Sequence, residues 1–302
     1  MNEYSPEDEK RVKKNKSSNP LILESRFRRI LFFGLLIVLV IGLTVALFHR
    51  SSPVRRAVAA APMTDEVGGY KKIHVFVALC DNQHQGIAPV PPAIGNGQDA
   101  ARNLYWGARY GVKTHMLRSR DWKLLADLPN PKAHVLERLI FTHLGRKAYL
   151  VADAYDGAYI KQAISDTIAA SAGQAPEAIA INSHRFIFGG GADLLTYIGH
   201  DGLIDFPLDL QITRAPGKRK EVMLLCCVSC TYFKPWLEKT GAYPLLWTTQ
   251  VMCPEAYTFK AALDGWLRGE SPQRIHERAA REYSRYQKCS VRAAGVLLKT
   301  GL

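Results

Sequence analysis

Residues Ile30–Phe48, ILFFGLLIVLVIGLTVALF, form a run of 19 residues without a charge. No other feature limits so severely what this chain can fold into. A helix rises 1.5 Å per residue, so about 20 apolar residues cross the hydrocarbon core of a bilayer. A buried helix of a soluble domain would carry a polar stripe, and this run has none. It is expected to be a transmembrane helix, and no other segment approaches its length and apolarity.

The flanks set its orientation. Eight cationic side chains (Lys10, Arg11, Lys13, Lys14, Lys16, Arg26, Arg28, Arg29) lie in the 20 residues before it, and three (Arg50, Arg55, Arg56) in the 20 after. The positive-inside rule then places the N-terminus in the cytoplasm and the C-terminal part outside it, in the periplasm if the cell is bacterial. The small-residue stretches Ala57-Val58-Ala59 and Ala59-Ala60-Ala61 resemble signal-peptidase sites. The apolar run, however, exceeds the usual h-region of about 7–15 residues, which favours an uncleaved signal anchor.

This topology accounts for much of the charge. Through Thr64 there are 11 Lys and Arg against 5 Asp and Glu, or +6 of the whole chain's +13. The basic flank is suited to anionic lipid at the cytoplasmic face. Nucleic acid is not an expected partner, since no zinc-finger spacing or RNP motif accompanies the basic balance. The sequence divides into a basic tail (1–29), the span (30–48), a Ser, Ala, Pro and Gly-containing linker (49–69) and an extracytoplasmic domain (70–302).

Within that domain, apolar β-rich runs alternate with helical patterns. Strands are expected at Ile73–Cys80, His134–His143, Lys147–Asp153, Leu194–Ile198, Glu221–Cys227 and Leu245–Thr248. Helices are expected at Asp99–Tyr110, with Gly111 as a left-handed cap, and at Ala158–Ala172, Thr231–Lys239 and Glu255–Arg268. A last helix starts at the Ser271-Pro272 cap and runs to about Lys288. Such alternation predicts an α/β domain with a mostly parallel sheet flanked by helices.

In sheets of this kind the chemistry collects beyond the carboxyl ends of the strands. Two ends carry reactive groups: Leu194–Ile198 leads through Gly199 to His200, Asp201 and Gly202, and Val222–Leu225 leads to Cys226, Cys227, Val228, Ser229 and Cys230. If the strands are parallel neighbours, an imidazole and a thiol share one edge. A thiol nucleophile needs a nearby base and backbone N–H groups to hold an oxyanion. Alternation points Cys226 and Cys227 to opposite sides.

An apolar strand ending in His and Gly, followed by an apolar strand ending in Cys with Ser two positions on, resembles the caspase/legumain-like cysteine peptidases. The resemblance covers roughly Ile73 to Leu245 and implies that family's three-layer α/β sandwich. It implies Cys227 as nucleophile, His200 as general base and acid, and N–H groups around Gly202 and Cys227 as the oxyanion hole. In that family the loop after the first strand shapes the specificity pocket, which here implies substrate contacts from Asp81, Asn82 and His84. The substrate would be a peptide or protein, and thiolate chemistry of this kind requires no cofactor. The sequence departs from the pattern in three ways: Asp201 separates His200 from the glycine, 26 residues between His200 and Cys227 leave little room for a crossover helix, and Cys226, Cys227 and Cys230 compete as the thiol at the strand end, with the serine at +2 favouring Cys227.

Two other readings stay open. Cys227-Val228-Ser229-Cys230 is a CxxC at a strand-to-helix junction, where a thioredoxin-like thiol-disulfide pair or a structural disulfide would sit. The domain could also be a noncatalytic, membrane-tethered binding module. A metal site built from Cys80, His84, His200 and the cysteine cluster lacks any second CxxC or HxxxH motif, so none is expected.

Overall fold

The structure is a computed structural model, and it describes Met63–Leu302. The expected tail and membrane span, and most of the linker, lie outside these residues. Among the described residues, no helix is long and apolar enough to cross a membrane.

The described residues form ten strands: β1 (Lys71–Ala78), β2 (Trp122–Lys132), β3 (Val135–His143), β4 (Ala148–Tyr155), β5 (Pro176–Ile181), β6 (His184–Gly189), β7 (Leu194–Ile198), β8 (Glu221–Leu225), β9 (Tyr243–Thr248) and β10 (Leu298–Lys299). The α-helices are α1 (Val112–Leu117), α2 (Ile160–Ser171), α3 (Ser229–Tyr232), α4 (Lys234–Thr240), α5 (Ala256–Arg268), α6 (Pro272–Gln287) and α7 (Val291–Leu297). Eight strands form one sheet in the order β10-β9-β8-β7-β1-β4-β3-β2, and β5 and β6 form a separate hairpin. Strands β4, β1, β7, β8 and β9 run parallel, while β2, β3 and β10 are antiparallel additions at the two edges.

Helices cover both faces, as expected of parallel strands that are apolar on both sides. Ile73, Val75, Val77, Ile198, Met223 and Leu225 point into a core closed by Phe259, Leu263 and Trp266 of α5 and Ile275 and Tyr283 of α6. Phe76, Leu195, Tyr197, Leu224 and Cys226 face the opposite core, closed by Ile160, Ala163, Ile164 and Ile168 of α2 and Leu237 of α4. The caps match their sequence signals. Asp156 accepts from Ala158 N–H at the turn leading into α2, Gly173 follows it with φ +77°, and Ser271 Oγ accepts from Arg274 N–H ahead of Pro272.

Several parts differ from the sequence expectation, among them α7 and β10, which follow the expected last helix. Asp99–Tyr110 is a chain of tight turns rather than a helix, and Gly111 is extended at the start of α1. The Asn103 amide is responsible for part of this: it accepts from Cys80 N–H and donates to the carbonyls of Cys80 and Asn96, which locks the segment against the end of β1. At Gly107 a Cβ would lie 2.0 Å from the Ala101 carbonyl oxygen, so the turn closes only on glycine. Strand β2 escapes the strand pattern because it is an edge strand with Pro129 and Pro131 and mostly exposed side chains. The hairpin β5–β6 turns through Asn182 and Ser183, both at positive φ, and packs Phe186 and Phe188 over Tyr149 and Val151.

The connection from β7 to β8 contains a single 3₁₀ turn, Gly202–Ile204, and no α-helix. Phe206, Leu208, Leu210 and Ile212 instead pack as an extended, alternating strip against the α2 side of the sheet. The chain leaves β1 towards β4 on one side, and leaves β7 towards β8 and β9 on the other. The switch in strand order therefore falls between β1 and β7. A crevice opens beyond the carboxyl ends of strands at such a point.

Candidate active site

Strands β7 and β8 pair in parallel with Ile198 opposite Leu225. His200 and Cys227 each lie two residues beyond that pair, so equal chain lengths carry them past the same sheet edge. Ile198 and Leu225 belong to the α5 side of the sheet, and both His200 and Cys227 open into one cavity at this edge. Cys226 sits on the opposite side, fully buried in the α2 core, and that burial pushes its thiol pKa well up.

The turn that presents Cys227 is strained. Val228 has φ +52° and ψ +27°, a left-handed conformation that a β-branched residue rarely adopts. Its N–H donates to the Gln250 carbonyl. Ser229 secures the next step, donating from Oγ to the Leu224 carbonyl at 2.9 Å and from its N–H to Thr248 Oγ1. Thr248 Oγ1 in turn donates to the Cys226 carbonyl. The serine two positions after Cys227 is thus a buried strut of the strand-to-helix turn. Cys227 Sγ accepts from Met252 N–H at 3.4 Å and, as a thiol, faces the Met252 carbonyl at 3.7 Å.

His200 is buried, and its Nε2 lies 2.8 Å from Asp205 Oδ2. The same carboxylate oxygen accepts from Gly86 N–H at 3.0 Å, which ties the loop after β1 to the loop after β7 across the crevice. A carboxylate accepting from Nε2–H selects the tautomer whose Nδ1 carries the lone pair. Among the described residues Nδ1 makes no hydrogen bond, and none joins His200 directly to Cys227. Asp205 has no counterpart in the sequence reasoning, because its position five residues beyond the histidine follows no periodicity.

Asp201, which interrupts the His-Gly spacing, caps the 3₁₀ turn: Oδ1 accepts from Leu203 N–H at 3.1 Å. Its other oxygen is buried without a partner among the described residues, and burial pushes the carboxyl up to about 7. The Gly202 N–H donates to the His200 carbonyl at 3.1 Å within that turn, and Gly202 does not line the cavity. Of the two expected oxyanion donors, the Cys227 N–H is the one with no protein acceptor among the described residues.

The cavity has a volume of about 590 Å³, within the usual range for small-ligand sites. Ile87 and Val90 from the loop after β1, Leu104 and Tyr105 from the turns, and Met252 and Pro254 from the loop after β9 make its walls apolar. Val251 and Ile204 stand at the rim, 73% and 44% exposed. Glu255 is the one carboxylate in the lining. Burial raises its pKa, and Tyr257 Oη donates to its Oε2 at 2.8 Å.

No protein-family model, curated protein or solved structure matches this chain. The roles of its residues therefore follow from position and chemistry alone.

Asp81, Asn82 and His84 contribute none of the wall of this cavity. Asn82 Nδ2 donates to the Val90 carbonyl and its Oδ1 accepts from Val90 N–H, so the residue clamps the loop that supplies Ile87 and Val90. Asp81 is buried. Burial alone would raise its pKa, but bonds from Gln83 N–H, His84 and Gln98 outweigh that and lower it. His84 is half exposed on the far side of Asp81.

All six cysteines are free thiols. Cys230 packs on the α2 side of the sheet with Trp236, whereas Cys227 opens on the α5 side, so the CxxC spacing leaves its two sulfurs on different faces. Burial pushes both Cys230 and Cys80 up to about 11. Among the described residues no group of three or more His, Cys, Asp and Glu side chains is placed to hold a metal.

Proposed function

We propose that this chain is a membrane-anchored cysteine peptidase-like hydrolase or transpeptidase that works through Cys227 and His200 in a caspase/legumain-like α/β sandwich. The observation that carries this reading is the shared cavity: two side chains 27 positions apart in sequence lie in matching register at the edges of adjacent parallel strands and open into one apolar pocket.

The chemistry follows from the groups present. His200, held through Nε2 by Asp205, accepts the thiol proton at Nδ1 as Cys227 Sγ bonds to a substrate carbonyl carbon. The Cys227 N–H, free of protein acceptors, stabilises the oxygen that becomes negative. The imidazolium then gives its proton to the departing amine as the C–N bond breaks, leaving a thioester. Water, or an acceptor amine in a transpeptidation, attacks the thioester with His200 again taking a proton, and the thiol is restored. The apolar walls and rim suit an apolar stretch of peptide. The strained Val228 turn is a further support, because backbone strain of this kind concentrates at functional sites.

The test is labelling by a peptidyl electrophile in wild type, Cys227→Ala and His200→Ala. An adduct on Cys227 that is strongly reduced by His200→Ala is the expected result. Labelling indifferent to His200, together with a titratable Cys227–Cys230 disulfide, would replace the reading with thiol-disulfide chemistry. Failure to label a folded wild-type chain would leave a noncatalytic binding module.

A further inference from the structure

A second cavity, of about 580 Å³, lies away from the thiol, between the turns before α1, α1 itself and the C-terminal half of α6. Its lining holds Arg109, Arg118, Lys260, Arg285 and Lys288, with no carboxylate among them. Two of these charges are already used. Lys260 lies 2.7 Å from Asp264 and 3.2 Å from Asp121, and Arg285 lies 3.6 Å from Glu282. Arg109, Arg118 and Lys288 have no ion-pair partner among the described residues. The adjoining cavity makes a contrast: it shares His115 and Lys260 but sets Asp264, Glu270, Glu277 and Glu282 against Lys260 and three arginines, so its charges cancel.

Two of the arginines, Arg109 without an ion-pair partner among the described residues and Arg285 beside Glu282, are also held against aromatic rings. The Arg109 guanidinium sits 5.3 Å from the Tyr110 ring centroid and the Arg285 guanidinium 5.8 Å from that of Tyr286. The two rings pack edge to face at 5.2 Å, and Tyr286 stacks on Tyr257 at 4.2 Å. A guanidinium resting on a fixed ring keeps its N–H edge free and loses less freedom when it binds. Burial, and then the nearby charges of Lys260 and Arg118 opposed by that of Asp264, lower the His115 pKa.

We propose that this cavity is a binding site for a compact, multiply charged oxyanion with clustered phosphoryl groups. Three uncompensated cations match a ligand of two to four negative charges, and planar guanidinium groups bind phosphoryl oxygens in bidentate fashion. A concave site of this volume suits a small polyanion.

The test is equilibrium binding of tripolyphosphate to the full chain in a zwitterionic detergent. Saturable one-to-one binding is expected, at least about tenfold tighter than orthophosphate and weakened by salt. The pair Arg118→Glu and Lys288→Glu, both exposed, should cost at least about tenfold in affinity, while Lys234→Glu on the distant α4 should cost less than about twofold. Displacement of tripolyphosphate by phosphatidylglycerol vesicles, but not phosphatidylcholine vesicles, would assign the phosphoryl groups to a lipid headgroup; no displacement would assign them to a soluble ligand. Absence of saturable binding at low salt overturns the proposal, as does equal loss in Lys234→Glu. Tighter binding of hexaglutamate than of tripolyphosphate overturns it in favour of an acidic protein segment.

Discussion

Replacing Asp205 separates the role of the histidine from the mere presence of a thiol. The Asp205 carboxylate accepts from His200 Nε2 at 2.8 Å and from Gly86 N–H at 3.0 Å, and its side chain is about a quarter exposed. Asp205→Ala removes both bonds. A hydrogen bond to a charged group is worth roughly 1.5–3 kcal/mol, and partial exposure places this one in the lower half of that range. At about 1.4 kcal/mol per factor of ten, alkylation of Cys227 by iodoacetamide near neutral pH should slow about ten- to thirtyfold. Asp205→Asn should behave similarly, because an amide can donate to the imidazole and stabilise the wrong tautomer. Peptide-level mass spectrometry gives the rate at Cys227 separately from the five other thiols. Global stability should fall by about 2–4 kcal/mol through the two lost bonds, one of them to the buried His200, and urea denaturation measures that. Alkylation of Cys227 at the wild-type rate in both variants would refute the coupling of Asp205, His200 and Cys227.

Four other outcomes are expected. Asp153 is buried between Arg138 and His74, and their hydrogen bonds and charges overcome its burial and hold its pKa well below the ordinary carboxylate range; Asp153→Asn leaves Arg138 buried without a full partner and should cost about 3–5 kcal/mol in urea unfolding. Because that pKa is depressed in the folded state, the stabilisation is complete above the unfolded value of about 3.9 and fades as pH falls through the folded value, so wild-type urea midpoints should drop on acidification below about pH 4 while Asp153→Asn loses less. Val228→Gly should change stability by less than about 1 kcal/mol, because relief of the left-handed strain offsets loss of the half-buried side chain; a loss above about 2 kcal/mol would show that the turn is unstrained. Towards a neutral thiol reagent under native conditions, Cys227 and Cys253 should react well before Cys80 and Cys226, which are fully buried; the reverse order would contradict the placement of the two faces.

The cap at Ser271-Pro272, the turn signals at Asp156 and Gly173, and the apolar runs at Leu194–Ile198 and Glu221–Cys227 were legible locally, and each became the element that its pattern indicates, although the second strand stops at Leu225, before the two cysteines. The opposed faces of Cys226 and Cys227 were legible too, since alternation needs no knowledge of neighbours. The turns at Asp99–Tyr110 were not, because the Asn103 bonds that override the helical pattern reach back to Cys80. Neither was the structural use of Asn82, whose partner Val90 is fixed only once the loop folds over the crevice.

Backbone periodicity and hydropathy are local, so the sequence by itself determined the strands and helices with a strong pattern, the mostly parallel sheet and the expectation of a membrane anchor. It also placed His200 and Cys227 at strand ends. Which strands lie side by side, and how far each carries its last residue, depends on pairing across the sheet, and only the tertiary structure decided that β7 and β8 deliver the two side chains to one cavity in equal register. Asp205, the apolar walls and the basic cavity beside α6 belong to the same class: each is assembled from segments far apart in the chain, and no pattern within one segment encodes a contact with another.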